Sequence, residues 1–294
     1  MIDLHMHSQE SDGSLSPTEL AEACSRAGLC IAALTDHDTL GGSRTFLQAC
    51  AAQGIRGIAA VELSAEYGPG TMHILGYVPD GAIAPLQSAL EQIQASRAQR
   101  NAEILSALQD LGYPLAAEEV AAYAGDGITG RPHIAAAMQE KGYVKNRQDA
   151  FERFLGKGCP AYRDRFRFSP QACVDIIRAH GGVAVLAHPF TLSLSERACS
   201  ALVEELVSYG LGGIEVFYPE HSEDRRRIYH RIAHTFDLVA SGGSDFHGAL
   251  NPSIMLGRGF GNVYVDDSVW AALEARMTDA ESQDFFIRKE EARG

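Results

Sequence analysis

Nine imidazole or carboxylate side chains sit along this chain at or near the ends of apolar runs: His5, His7, Asp12, His37, Glu62, His73, His188, Asp245 and His247. The chemistry these groups share is metal ligation. His5-x-His7 closes the apolar start of the chain, and residues two apart in an extended backbone point to one side, so both imidazoles can reach one ion. Asp245-x-His247 repeats that spacing near the other end, after Gly242-Gly243, which lets backbones approach closely. Glu62 follows the apolar run 58–61, where a carboxylate is either a buried ion-pair partner or a ligand able to bridge two ions. Taken singly, each residue has a plainer reading. His73 and His188 suit hydrogen-bonded core histidines, Asp12-Gly13 suits a turn, and Asp38, beside His37, suits a helix cap. Delivered together from successive strand ends, they suit a polynuclear metal site at a barrel mouth.

The elements that must position these residues alternate in type. Strand-like runs occur at 2–5, 30–35, 57–63, 71–78, 182–187, 213–217, 238–241 and 261–265. Helical patterns follow at 20–27, 43–52, 196–209, 222–235 and 268–277. Ser16-Pro17-Thr18-Glu19 is a strong helix start, with Ser16 as N-cap, Pro17 at the first helical position and Glu19 three residues after the cap. Repeated strand–helix units point to a parallel barrel or a doubly wound sheet. The segment after Pro79 breaks the alternation, being rich in Ala, Gln and Glu at helical spacing with no convincing strand. Residues 1–79 and 166–294 therefore read as a barrel domain, and 80–165 as a helical insertion that caps the substrate.

Composition narrows the class. A chain of 294 residues with 46% hydrophobic and 21% charged residues is that of a globular protein able to bury a large core. No signal-peptide pattern or membrane-length apolar stretch is present, which reads as a cytoplasmic protein with no membrane or protein partner in evidence. The six cysteines form no C-x-x-C pair and read as reduced thiols. A net charge of −13 argues against broad binding to nucleic-acid backbone, though not against a small anionic substrate, because bound cations would dominate the field of the cleft.

His5-x-His7 with Ser11-Asp12-Gly13, Thr35-Asp36-His37-Asp38, Glu62, His73, Ala187-His188-Pro189 and Ser244-Asp245-Phe246-His247 together resemble the PHP (polymerase and histidinol phosphatase) family, in order and over nearly the whole chain. The resemblance implies an α/β fold, a distorted (βα)7 TIM-like barrel of the amidohydrolase superfamily type, with three divalent metal ions. By the motifs, His5, His7, Glu62 and Asp245 would bind the first ion. Glu62, His73 and His188 would hold the second, and Asp12, His37 and His247 the third. Other members use His where this chain has Asp12. Mixed nitrogen and oxygen ligands suit Mn, Fe or Zn, and manganese is the expected ion.

Such a centre implies phosphoester hydrolysis, with Glu62, Asp245 and His247 taking part in catalysis. Thr129-Gly130-Arg131-Pro132-His133 opens a helix and resembles the nucleotide-phosphate-active branch of the family, making Arg131 and His133 candidate substrate-binding residues. His221, after a strand end, is a third. Arg163, Arg165 and Arg167 could face a second phosphate or form a solvated edge. The reading is a metal-dependent phosphatase removing the 3′-phosphate of a 3′,5′-bisphosphate nucleotide such as pAp. The alternatives are a 5′→3′ exonuclease on short RNA or DNA and a histidinol-phosphate phosphatase. A non-catalytic polymerase-associated module would be expected to show decayed ligands.

Overall fold

Seven short strands pair in sequence order into a single sheet: β1 (Ile2–Asp3), β2 (Ile31–Leu34), β3 (Arg56–Ala65), β4 (Met72–Tyr77), β5 (Val183–Leu186), β6 (Gly213–Phe217) and β7 (Val239–Gly242). The computed structural model describes residues 1–68, 70–123, 129–164 and 166–277. The sheet curls until its edges nearly meet. Beyond the strand ends, Asp245 N–H donates to the His5 carbonyl and His7 N–H to the Phe246 carbonyl, each at 2.9 Å. Asp3, fully buried, fastens the same seam by accepting from Ser244 N–H at 2.9 Å and Ser244 Oγ at 2.5 Å.

The pairing is parallel except at β4, which runs antiparallel to both β3 and β5. An all-parallel sheet was the expectation from alternation. The segment joining β3 to β4 is too short for a crossover, which needs about a dozen residues, so these strands form a hairpin. The expected strand at 261–265 is also absent. Gly261 there has φ 89° within a turn, and no strand of the sheet pairs with the segment. Val263 and Val265 are nevertheless buried, packing with Trp270 and Leu273 across the barrel end.

Helices clothe the outside: α1 (Pro17–Arg26), α2 (Ser43–Ala52), α3 (Ile83–Ala89), α4 (Glu91–Asp110), α5 (Ala117–Ala121), α6 (Arg131–Glu140), α7 (Arg147–Ala150), α8 (Pro170–Ala179), α9 (Glu196–Tyr209), α10 (Glu223–Thr235) and α11 (Asp267–Glu274). The capping box at α1 forms as expected: Ser16 Oγ accepts from Glu19 N–H while Ser16 N–H donates to Glu19 Oε2 at 2.9 Å. Two-residue periodicity sorts the strands. Ala59, Val61 and Leu63 pack outward with α8 and α9 residues, while Ile58, Ala60, Leu75, Tyr77, Val183 and Val185 fill the inside. Glu62 and His73 share the inner parity, which aims both at the barrel mouth.

On the way from β4 to β5, before α8, the chain runs through α3–α7, with no strand among the described residues. From α4 onward these helices enclose their own apolar cluster, including Ile104, Leu108, Ile134, Met138, Phe154 and Leu155. The six cysteines form no disulfide with one another, and Cys24, Cys50, Cys173 and Cys199 are buried. Burial pushes the Cys50 thiol up to about 12, which leaves it unreactive.

Candidate metal centre

Glu62, 1% exposed, is the hub toward which the other groups turn. Its Oε1 lies 2.7 Å from His73 Nδ1 and 2.8 Å from His188 Nε2. Its Oε2 lies 3.2 Å from each of His5 Nε2, His7 Nε2 and His37 Nδ1. Asp245 Oδ1 faces His7 Nε2 at 3.1 Å and His5 Nε2 at 3.4 Å. Asp12, on the loop after β1, faces His247 Nε2 at 3.3 Å and His37 Nε2 at 3.8 Å. All nine residues expected from the sequence therefore converge on one end of the barrel.

Their potential ligand atoms fall into three groups, each within 4.8 Å: His5, His7, Glu62 and Asp245; His7, Asp12, His37 and His247; and His37, Glu62 and His73. The first equals the set assigned to one ion by resemblance, and the second contains another with His7 added. His188 stands beside the third group, 3.3 Å from His73 Nδ1. The donor set fits divalent cations on the protein's own geometry. His7 Nε2 and His37 Nδ1 are buried without a hydrogen-bond partner although carboxylate oxygens lie 3.1–3.2 Å away. Buried nitrogens and oxygens aimed at common points rather than at one another are satisfied by a cation between them.

Protonation reflects the same crowding. Burial alone would raise Glu62, Asp12 and Asp245, but the surrounding imidazoles, His37, His5 and His247 among them, hold all three well below the usual carboxylate range. Burial opposes protonation of His7, yet the Asp245 and Glu62 carboxylates outweigh it and bring the group up to about 10. At His37 burial wins and pushes the imidazole down to about 3.

A further layer holds these residues. Asp36 accepts from Ser8 N–H at 2.8 Å and from the hydroxyls of Ser8 and Ser11, each at 2.6 Å, which shapes the loop carrying Asp12. Tyr218 donates its hydroxyl to Asp245 Oδ2 at 2.7 Å. Glu215, fully buried on β6, reaches both His5 and His188. Sequence reasoning passed over Glu215, although an acid inside the apolar strand Gly213–Phe217 is the same signal that marked Glu62. Asp38 does not cap α2, whose N-cap is Gly42. It instead accepts from Ser64 N–H at 2.8 Å and from Arg97 Nε at 2.8 Å, tying the His37 loop to α4.

A cleft of about 590 Å³ opens beside the centre. Asp12, His37 and His73 of the centre line it, together with the cations Arg97, Arg100, Arg131, Lys157 and Arg167 and the acids Glu66 and Asp164. Arg131 is braced there, its guanidinium 5.8 Å from the Phe151 ring centre and 5.6 Å from that of Tyr162, with Nη1 donating to the Leu155 carbonyl at 3.1 Å. The other two expected substrate residues do not line the cleft. His133 Nδ1 accepts from Gly130 N–H at 3.0 Å, so this buried ring is spent on capping α6. His221, 2% exposed, packs against Phe190, Tyr218 and Tyr229 rather than along the cleft. Of the arginine series, Arg167 lines the cleft and pairs with Asp164 at 2.5 Å, Arg163 donates to the carbonyls of Pro160 and Tyr162, and Arg165 lies outside the described residues. Arg97 and Lys157 were not anticipated.

A nearly closed seven-stranded barrel whose mouth gathers six imidazoles and three carboxylates agrees with a sequence match: the PHP domain spans residues 3–156. The chain belongs to the PHP domain family, and with it to the metal-dependent phosphoester hydrolases. It is 35% identical over 245 residues to a 5′-3′ exoribonuclease of Haemophilus influenzae, covering 83% of this chain and 89% of that protein. It is 31% identical over 277 residues to a 3′,5′-nucleoside bisphosphate phosphatase of Chromobacterium violaceum, covering 94% and 97%. Among solved structures, a protein of Bifidobacterium adolescentis designated a metal-dependent phosphoesterase superimposes with a TM-score of 0.84 at 27% identity, over 95% of this chain and 96% of that one.

Proposed function

We propose that the nine convergent residues hold three divalent ions, with manganese preferred, and that the protein removes the 3′-phosphate of a 3′,5′-bisphosphate nucleotide. His5, His7, Glu62 and Asp245 would hold the first ion, Glu62, His73 and His188 the second, and Asp12, His37 and His247 the third. Bound divalent ions would there lower the pKa of water and offset the charge of a phosphoryl group. Glu62, Asp245 and His247 sit where that chemistry would occur, and Tyr218 and Glu215 hold their neighbours in place.

The observation that carries the substrate reading is the basic wall of Arg97, Arg131, Lys157 and Arg167 in the same cleft as the metal-type cluster. Two phosphates on one small molecule would engage the metal-type cluster and the basic side chains at once. The braced Arg131 offers its guanidinium fork to the phosphate that is not cleaved. Residues 80–165, which supply Arg97, Arg131 and Lys157, act in this reading as the cap that recognises substrate. The same wall disfavours histidinol phosphate, whose ammonium group it would repel. The second reading, 5′→3′ hydrolysis of short oligonucleotides, is favoured by the Haemophilus influenzae relative and needs only a longer substrate in the same cleft.

The deciding experiment assays manganese-loaded protein against a 3′,5′-bisphosphate nucleotide, 3′- and 5′-mononucleotides, histidinol phosphate and 5′-phosphorylated oligonucleotides. The bisphosphate should show the highest kcat/KM. A large preference for oligonucleotides would replace the first reading with the second.

A further inference from the structure

Glu215 stands on the inward face of β6, opposite Ser241 in register and completely buried. Its two oxygens are committed to different histidines. Oε2 accepts from the backbone N–H of His188 at 2.7 Å, and Oε1 lies 3.0 Å from His5 Nδ1. A carboxylate accepts, so the proton of that second bond resides on His5 Nδ1, which leaves Nε2 as the nitrogen facing Glu62 and Asp245. His188 adopts φ 24°, ψ 62°, a positive-φ conformation that is strained for a non-glycine residue unless its surroundings hold it. The Glu215 bond is made to the amide of that strained residue, and the resulting turn sends His188 Nε2 to within 2.8 Å of Glu62 Oε1.

We propose that Glu215 is a positioning residue that prepares two of the three metal groups together, setting the tautomer of His5 and the backbone turn of His188. It touches no member of the group formed by His7, Asp12, His37 and His247. Its loss therefore weakens the first and second ions jointly and spares the third. The isosteric change Glu215→Gln tests this because an amide cannot accept two hydrogen bonds at two different atoms. The His188 N–H can only donate, so it takes the amide oxygen, and the NH₂ group then faces His5 Nδ1. That forces the proton onto His5 Nε2, where it blocks the ion. This inference rests on the three-ion reading above.

The experiment titrates metal-free wild type, Glu215→Gln and Asp12→Asn with Mn²⁺ by calorimetry, with elemental analysis after dialysis. Wild type should take up three ions. In Glu215→Gln two of them should bind roughly 10–100-fold more weakly while one is unchanged, and Asp12→Asn should show the complementary pattern. Wild-type affinity at every site in Glu215→Gln, or weakening at one site alone, overturns the positioning role and leaves the three-ion reading intact. A wild type that binds no Mn²⁺ overturns both. Should Glu215→Gln fail to fold, ¹⁵N-imidazole spectra of zinc-loaded wild type decide, with His5 assigned by its absence in His5→Asn. A proton on Nδ1 supports the proposal, and a proton on Nε2 ends it.

Discussion

Glu62 presents one oxygen to His73 and His188 and the other to His5, His7 and His37, so its charge is shared among five of the six imidazoles at the barrel mouth. Replacing it by Gln keeps the shape and deletes that charge. Losing one charged element of an active site lowers kcat by roughly 10²–10³-fold, so kcat should fall by that much, with the far-ultraviolet circular dichroism unchanged. An unaltered kcat would remove Glu62 from the mechanism. Arg131 makes a different kind of contribution, because it faces the cleft beside Phe151 and Tyr162 instead of the metal-type cluster. Arg131→Ala should raise KM for a 3′,5′-bisphosphate nucleotide about 10–100-fold, the worth of a charged hydrogen bond, and change KM for a 3′-monophosphate little. Equal effects on both substrates would show that Arg131 does not read the second phosphate. The nine convergent residues were legible in the sequence because metal-type side chains at strand ends can meet only at the barrel mouth. Arg97 and Lys157 were not, because their approach depends on how the helices after β4 fold back. At His133 the sequence position suggests an anion site, and the structure adds that its Nδ1 accepts from the backbone N–H of Gly130, a bond that only the folded turn reveals.

At the scale of elements, the seam between β1 and β7 brings His5 and His7 to Asp245 and His247, and Gly243 makes that seam possible. A Cβ on Gly243 would lie 2.4 Å from His5 Cβ and 2.5 Å from His5 N, far inside contact distance. Gly243→Ala should therefore destabilise the fold by about 1–3 kcal/mol and displace His5, reducing metal uptake as well as the melting temperature. Wild-type metal uptake in that variant would show that the seam tolerates widening. The turn after β6 gives a pH-dependent prediction. His221 donates Nδ1–H to the Val216 carbonyl at 3.0 Å, its Nε2 has no partner, and burial pushes its imidazole down to about 4. The unfolded chain, with an ordinary histidine, takes up a proton near pH 6.5 that the folded chain refuses until about pH 4. The stability lost as pH falls through that window is thus on the order of 2–3 kcal/mol by pH 4.5. Urea denaturation of wild type and His221→Gln at pH 7 and 4.5 should show wild type losing that much more than the variant, and parallel losses would contradict a neutral buried His221. The order of strands and helices was legible because each apolar run has the length and punctuation of its element. The direction of β4 was encoded too, in a connection too short to cross over. The run at 261–265 showed strand patterning for another reason, since Val263 and Val265 alternate against the Trp270 cluster without pairing to any strand.

For the whole molecule, the site and the fold share one set of contacts. The carboxylates of Glu62, Asp12 and Asp245 and the six imidazoles come from loops and strands along much of the sequence, so cations bound among them would together tie β1, β2, β3, β4, β5 and β7. The unfolded chain cannot offer that arrangement, and binding free energy therefore appears as folding free energy. One ion at a hundred times its dissociation constant stabilises by about 2.7 kcal/mol, which for a chain of this size corresponds to a rise of roughly 4–5 °C in melting temperature. Several ions add to this as far as they bind independently. The −13 net charge acts in the same direction, because divalent cations reduce self-repulsion in an acidic protein. That general effect is separable. Non-specific screening should be matched by Mg²⁺ or by monovalent salt at equal ionic strength, whereas a site of imidazole nitrogens prefers Mn²⁺ or Zn²⁺. Thermal melts of chelator-treated protein, with Mn²⁺, Zn²⁺, Mg²⁺ or NaCl restored at matched ionic strength, should therefore show a large rise for the first two alone. The Mn²⁺ effect should shrink in Glu62→Gln, the variant that keeps the fold and loses the hub. Equal rises for Mg²⁺ and Mn²⁺ would assign the stabilisation to charge screening and remove the barrel mouth as its source.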